Sequence, residues 1–287
     1  MILLWDADIL LFKVLYIYQS IHKGKKCISK KLLTKCLLQV INNYLDKFSP
    51  HKVVMMCKLF PCKYFRHHID PDYKKDRSPT PEEILVLREI LQTLNFTLYS
   101  SDCIETDDLI GLYMSGLDSK EELICLSGDK DLLQIPGVHA SFYNDKVNLV
   151  TEHGEFALDR KTHPLHPKLH TTGFIHFCKQ MISGDKTDNI KGIAGLGDVK
   201  IHSYLDTWDA EDISMINLLE KVVELYNRCN YHNVKTFNQN LNLLWILRIM
   251  NDSTRESLEL IMPCNELQTE IVEDKLTFRD FLNYSKD

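Results

Sequence analysis

Several things that large protein classes require are missing from these 287 residues. The nine cysteines contain no CxxC pair and are odd in number, which argues against a secreted disulfide framework and against a zinc cluster, and for a reducing, cytoplasm-like compartment. Long apolar runs are missing too. The apolar amino terminus carries Asp6, Asp8 and Lys13, so it reads as a strand and a helix start, with no signal peptide or membrane span. There is no low-complexity tract, no P-loop and no polymerase module. An excess of positive charge is also absent: 34 Lys and Arg stand against 40 Asp and Glu, a net charge of −6 that is unexpected for a nucleic-acid binder. What remains is 44% hydrophobic and 26% charged, enough to bury a core as one large domain or two moderate ones.

Acids, by contrast, are gathered. In the stretch from Asp102 to Asp131, Glu105, Asp107 and Asp108 open a helical pattern whose apolar members are Leu109, Ile110, Leu112 and Tyr113. The short apolar run Leu123 to Leu126 suits a buried strand, and Asp129 and Asp131 follow at its carboxyl end. Each group alone has a structural reading, because capping and the helix macrodipole favour acids at helix starts. Recurrence shifts the balance. MILLWDAD is an apolar strand ending in Asp6 and Asp8, and ISGDKTDNIKGIAGLGDVK places Asp185 and Asp188 three apart before a glycine-rich turn. In a parallel sheet the carboxyl ends of strands meet in one crevice, and crowded carboxylates are tolerable when hard divalent ions sit among them. The expected ligands are Asp6, Glu105, Asp107, Asp108, Asp129, Asp131, Asp185 and Asp188, holding two Mg²⁺ ions for which Mn²⁺ substitutes. The reaction class is phosphodiester hydrolysis. With those eight acids set aside, the rest of the chain is close to neutral, so net charge does not decide against a nucleic-acid partner.

Read in order, the chain predicts strands at Met1–Trp5 and Val53–Cys57 around a helix at Ser29–Phe48, a βαβ unit and hence a parallel sheet. A helix at Pro81–Leu94 and strands at Phe96–Tyr99, His139–Tyr143 and Val147–Thr151 follow. Between the second strand and that helix, CKLFPCKYFRHHIDPDYKKDRSPTPEE interleaves cations with aromatics, a composition suited to single-stranded nucleic acid or to an ordinary solvated loop. KTHPLHPKLH holds three histidines, but its prolines and its lack of a cysteine partner favour a linker over a metal site. Beyond it the pattern is helical: Gly173–Ile182, a helix through Tyr204, Ile213–Asn227, Asn238–Met250 and Thr277–Tyr284. The glycines of the turn at 192–197 let backbone N–H groups approach a phosphate, and a helix amino terminus follows. The expected division is an α/β domain at 1–170 and a helical region at 171–287.

LLWDAD, DYKKDRSPTPEEI, IETDDLIG, SGDKDLLQ and SGDKTDNIKGIAGLG occur in the order found in the 5′ nuclease family, which includes bacteriophage flap endonucleases and the 5′ nuclease domain of bacterial DNA polymerase I. The resemblance covers roughly Met1 to Leu205. It implies a central, mostly parallel sheet with flanking helices, a helical arch at about 58–82 and a helix-three-turn-helix at about 183–205. It implies that Tyr73 stacks on a base near the cut and that Lys74 and Arg77 contact the scissile phosphate as catalytic residues beside Asp6, with Lys75 and Arg66 as secondary phosphate contacts. Gly192, Gly195, Gly197 and Lys200 would grip duplex DNA, with K⁺ on the turn's carbonyls, although Val199 stands where the family usually has lysine. The family's aspartate after the second strand is missing, since Met56, Cys57 and Lys58 stand there, and Asp8 either replaces it or caps the next helix. The implied substrates are DNA with a 5′ flap, a nick or an RNA primer. The implied partners are a replication polymerase or single-strand binding protein, and the chain is expected to be a monomer in the cytoplasm, of a host if it is viral. RNA-primer removal by the same site and a nuclease-deficient junction binder are the alternatives.

Overall fold

The computed structural model describes residues 1–22, 27–59, 64–116, 122–144, 146–162, 164, 166–208, 214–229 and 234–248. The run Ile2–Asp6 forms β1, and all five residues are buried, as a continuous apolar run inside a parallel sheet must be. Two helices follow, α1 (Ala7–His22) and α2 (Lys30–Phe48), and the chain returns in β2 (Lys52–Met56). α2 starts at Ser29, whose hydroxyl accepts the Leu32 N–H at 3.3 Å, and ends at Ser49 in the left-handed region at φ 45°. A single-turn α3 (Arg66–Ile69) precedes α4 (Glu82–Gln92), where Pro81 is the cap residue outside the helix. Next come β3 (Thr97–Tyr99), α5 (Thr106–Gly116), β4 (Leu123–Ser127), a 3-10 turn at Asp131–Gln134, β5 (Gly137–Ser141) and β6 (Val147–Val150).

The strand order is β3-β2-β1-β4-β5-β6, with β1 to β5 parallel to one another. The chain runs outward from β1 to β3 and then restarts on the other side of β1 at β4. The junction of β1 and β4 is therefore the topological switch point, where open α/β sheets bind ligands beyond the carboxyl ends of their strands. Asp6 ends β1, and Asp129 lies two residues past the end of β4. Leu3 and Trp5, on one face of β1 by the strand period of two, pack with Met55 and Leu126 against Leu10 and Val14 of α1, Leu37 of α2 and Leu87 of α4. Each such side chain contributes about 1.5–3 kcal/mol by leaving water, which is why the carboxyl end of this sheet is rigid enough to carry a site.

After β6 the chain forms a hairpin of β7 (Phe156–Asp159) and β8 (Lys168–Thr171), then α6 (Gly173–Ser183), the short pair β9 (Gly184–Asp185) and β10 (Ile190–Lys191), α7 (Asp198–Leu205), α8 (Met215–Arg228) and α9 (Val234–Leu244). Two compact units result, and they do not follow the chain order. One comprises the described residues of Met1–Cys62, Ser78–Lys130 and Gly137–Leu149, and the other those of Lys63–Arg77, Asp131–Pro136 and Val150–Asp287. In the second unit Phe174 and Phe177 of α6 pack edge-on against Trp245, at centroid distances of 6.1 and 5.1 Å.

Some expectations change. KTHPLHPKLH is not wholly a linker, because Lys168–Thr171 is β8, whose partner β7 has too weak an alternation to be seen alone. The last described helix is Val234–Leu244 in place of the expected Asn238–Met250, and Met250 and the helix expected at Thr277–Tyr284 lie outside the described residues. Of the helical arch expected at 58–82, the described residues form α3 and the turns at 71–76. No described helix is long and apolar enough to cross a membrane.

Candidate active site

In the first unit the site begins with Asp6, which is 2% exposed at the switch point. Its Oδ1 accepts the Ile9 N–H at 3.1 Å, so the acid that ends β1 also steadies the start of α1. Its Oδ2 accepts the Ser127 hydroxyl at 2.6 Å, and the same Ser127 oxygen accepts the Asp129 N–H at 3.0 Å. One serine thus ties the acid of β1 to the acid beyond β4. Burial, then the charges of Asp8 and Asp129, push the Asp6 pKa up from 3.8 to about 7, against the lowering effect of the Ser127 and Ile9 hydrogen bonds. The same field acts on Tyr143, whose hydroxyl pKa is raised first by burial and then by Asp6 and Asp129.

Asp8 is placed by the first turn of α1. Its Oδ1 accepts Arg88 Nη2 at 3.0 Å and lies 3.7 Å from Cys57 Sγ; its Oδ2 accepts the Thr106 hydroxyl at 2.5 Å and the Lys58 N–H at 3.0 Å. The capping of α1 falls to Asp6, and Asp8 has another role. It joins α1, the end of β2, α4 and the start of α5. Beside it Glu105 and Asp108 are buried, and Asp108 Oδ2 accepts the Glu105 N–H at 3.2 Å, so Asp108 serves the capping role that helix starts favour. Asp107 is the less buried acid of that turn.

The second unit holds Asp131, Asp185 and Asp188. Asp188 collects three residues expected to touch the nucleic acid, Tyr73 by stacking and Lys74 and Arg77 at the phosphate: Tyr73 donates its hydroxyl at 3.2 Å, Arg77 donates Nε at 3.1 Å and Nη2 at 2.5 Å, and Lys74 Nζ lies 3.5 Å away. Lys74 is held with φ 58° and donates its N–H to the Asp188 carbonyl at 3.1 Å, a backbone clamp that sets the side chains' direction. Asp185 Oδ1 accepts the Thr187 N–H at 2.7 Å, closing the tight turn between β9 and β10. Asp131 Oδ1 accepts Gln180 Nε2 at 2.9 Å. Lys75 pairs with Asp72 at 2.8 Å. Arg66 is not a phosphate contact: it is 3% exposed and donates Nε to the Leu243 carbonyl at 2.9 Å and Nη2 to the Trp245 carbonyl at 2.6 Å. Its sequence context, basic among aromatics, could not distinguish a surface cation from a buried one that satisfies carbonyls at the end of α9.

The glycine turn lies between β10 and α7. Ser183, Lys186, Lys191, Gly192, Gly195 and Gly197 are among the residues lining an open cavity of about 700 Å³ there. Gly195 has φ +78°, which explains glycine by backbone conformation, whereas Gly197 has φ −97° and nothing within 4 Å of an added Cβ. Neither strain nor internal crowding asks for glycine at 197. An external backbone approaching closely would. Lys200 Nζ donates to the Gly195 carbonyl at 2.9 Å, which braces the turn.

Among the described residues no three His, Cys, Asp or Glu side chains are gathered into a ready-made metal cage. The donor chemistry of the first unit nevertheless fits a hard divalent ion. Its acids offer oxygen only, and Asp6, buried beside two further acids, resists carrying its own charge at neutral pH. Ser127, Thr106 and Arg88 were not legible as site residues, since a serine ending a strand, a threonine opening a helix and an arginine inside one are each ordinary.

The family model for the 5′-3′ exonuclease N-terminal, resolvase-like domain matches residues 1–161. A 5′-3′ exonuclease of Buchnera aphidicola subsp. Acyrthosiphon pisum is 27% identical over 231 residues, covering 78% of this chain and 76% of the relative. DNA polymerase I of Synechocystis is 26% identical over 234 residues, covering 78% of this chain and 23% of the polymerase. Among solved structures, the bacteriophage T5 flap endonuclease in a complex with DNA and metal ions aligns with a TM-score of 0.60 at 15% identity, over 100% of this chain and 99% of the other. That likeness shows the shared fold, a mostly parallel central sheet with flanking helices. By its matched residues and its order of motifs, this chain belongs to the 5′-3′ exonuclease family.

Proposed function

We propose that the chain is a metal-dependent 5′ nuclease that hydrolyses phosphodiester bonds near the 5′ end of branched, nicked or RNA-primed DNA. The observation that carries this reading is Asp6, buried at the switch point of the sheet with its pKa pushed to about 7 by burial and by neighbouring acids, a carboxylate that calls for a cation. Asp6, Glu105, Asp107, Asp108 and Asp129 of the first unit would hold divalent ions; in the second unit Asp131 and Asp185 are further candidates, whereas the Asp188 carboxylate is taken by Tyr73, Lys74 and Arg77. Mg²⁺, when bound, supplies charge neutralisation and Lewis-acid polarisation of the phosphodiester. Ser127 keeps Asp6 and the Asp129 backbone in register through one hydroxyl. Asp188 holds Tyr73, Lys74 and Arg77 as a preassembled group, whose cations would stabilise developing phosphate charge, while Tyr73, 4% exposed with its ring against His67, would brace Asp188 instead of stacking on a base. The turn at 192–197 with the amino terminus of α7 would take a duplex backbone without reading sequence, as a helix-three-turn-helix with K⁺ on its carbonyls.

The test is cleavage of a 5′-flap duplex with Mg²⁺ and with chelator. Metal-dependent products near the junction, abolished in Asp6→Asn, are expected; tight binding without products at any Mg²⁺ or Mn²⁺ concentration refutes the reading in favour of a junction binder. RNA-primed and all-DNA substrates compared side by side separate primer removal from flap cleavage.

A further inference from the structure

Arg88 stands out in the first unit as a cation buried within α4, 8% exposed, whose Nε has no hydrogen-bond partner. Buried guanidinium groups are costly unless paired, and the partner here is Asp8. A carboxylate offers about four lone-pair directions, and both oxygens of Asp8 face protein donors: Arg88 on Oδ1, with the Cys57 thiol that it shares with the Lys58 carbonyl, and Thr106 and the Lys58 N–H on Oδ2. Asp8 is thus saturated from within the protein. It is nevertheless close enough for its charge to act on Asp6, and the Arg88 charge acts on Cys57 together with that of Asp8. The pair therefore sits inside the electrostatic field of the acids without offering a lone pair to an ion.

We propose that Arg88 is a built-in counter-cation: by holding Asp8 it keeps that carboxylate out of ion coordination and sets, through its fixed charge, how tightly the first unit's acids bind divalent ions. A guanidinium suits this role because it stays charged at every physiological pH, so the setting does not drift. Arg88 is a positioning residue here, acting through Asp8. The inference rests on the proposed metal-dependent reading of the same acids.

The test is titration of the purified chain with Mn²⁺ alone, followed by calorimetry, which reads affinity and number of ions without any turnover. Arg88→Met leaves Asp8 charged and uncompensated, and is expected to tighten Mn²⁺ binding by at least about tenfold. Asp8→Asn leaves Arg88 uncompensated and is expected to weaken it by a similar factor, with the number of ions unchanged. The charge-neutral double variant and Arg88→Lys should both return to within about threefold of wild type. Where a single variant fails to fold, the double variant and Arg88→Lys still decide: an affinity shifted more than tenfold in either overturns the proposal. Arg88→Met with unchanged affinity, or Asp8→Asn binding fewer ions, also overturns it, the latter by making Asp8 a ligand. A wild-type chain that binds no Mn²⁺ defeats the nuclease reading as well, whereas wild-type binding with an indifferent Arg88→Met defeats this proposal alone.

Discussion

Asp6→Asn should stabilise the metal-free protein while abolishing metal-dependent cleavage. The folded state raises the Asp6 pKa from 3.8 to about 7, and each unit is worth roughly 1.4 kcal/mol, so a charged Asp6 costs the fold on the order of 4 kcal/mol. The sign follows from proton binding. The folded chain holds this proton more tightly than the unfolded chain, so the contribution is fully favourable below pH 3.8 and is lost as pH rises through about 7. Asparagine is neutral throughout and nearly isosteric, and its carbonyl still accepts the Ile9 N–H or the Ser127 hydroxyl. At pH 8 in chelator the variant is therefore expected to gain about 2–4 kcal/mol after the loss of charge-assisted hydrogen bonds is allowed for. At pH 5 the folded wild type keeps the proton while the unfolded chain has mostly lost it, so the gain should fall to about 1–2 kcal/mol and vanish only below pH 3.8. Saturating Mg²⁺ should invert the order, because binding stabilises only the chain that retains its ligand. Urea unfolding at pH 5 and pH 8, with Mg²⁺ and with chelator, checks all four conditions. A variant equal to or less stable than wild type at pH 8 in chelator refutes the reasoning.

Asp188→Asn leaves the Lys74 and Arg77 charges with a weaker partner and should lower the stability of the second unit by roughly 2–3 kcal/mol, read by urea unfolding; no change would mean that the cluster is not held by Asp188. Gly192→Ala puts a Cβ 2.1 Å from the Ser183 carbonyl carbon and should cost at least about 2 kcal/mol, whereas Gly197→Ala meets nothing and should change stability by less than about 0.5 kcal/mol while weakening duplex binding several-fold in a fluorescence assay. Unaltered duplex affinity in Gly197→Ala would remove that turn from the DNA surface. Arg66→Met should destabilise by roughly 2–4 kcal/mol through two orphaned carbonyls and leave the salt dependence of DNA binding unchanged; a slope reduced by about one unit would restore Arg66 as a phosphate contact.

The linear chain by itself determined the parallel sheet, the acids at the ends of β1 and β4 and the order of motifs that marks the family, because apolar runs with charge at one end are local features of neighbouring residues. It also determined α2, whose serine cap and apolar stripe are local as well. Tertiary structure alone decided the partners. Residues 64–77 join the second unit across a gap in sequence, Asp188 draws Tyr73, Lys74 and Arg77 from more than a hundred positions away, and Arg66 is buried rather than exposed. Likewise Asp8 is saturated by Arg88 and Thr106, 80 and 98 residues further on, which no spacing rule foresees. The physical reason is that a carboxylate's charge can be read from its letter, whereas its pKa, its donors and its freedom to take an ion depend on burial and on which distant groups the fold brings within about 3 Å.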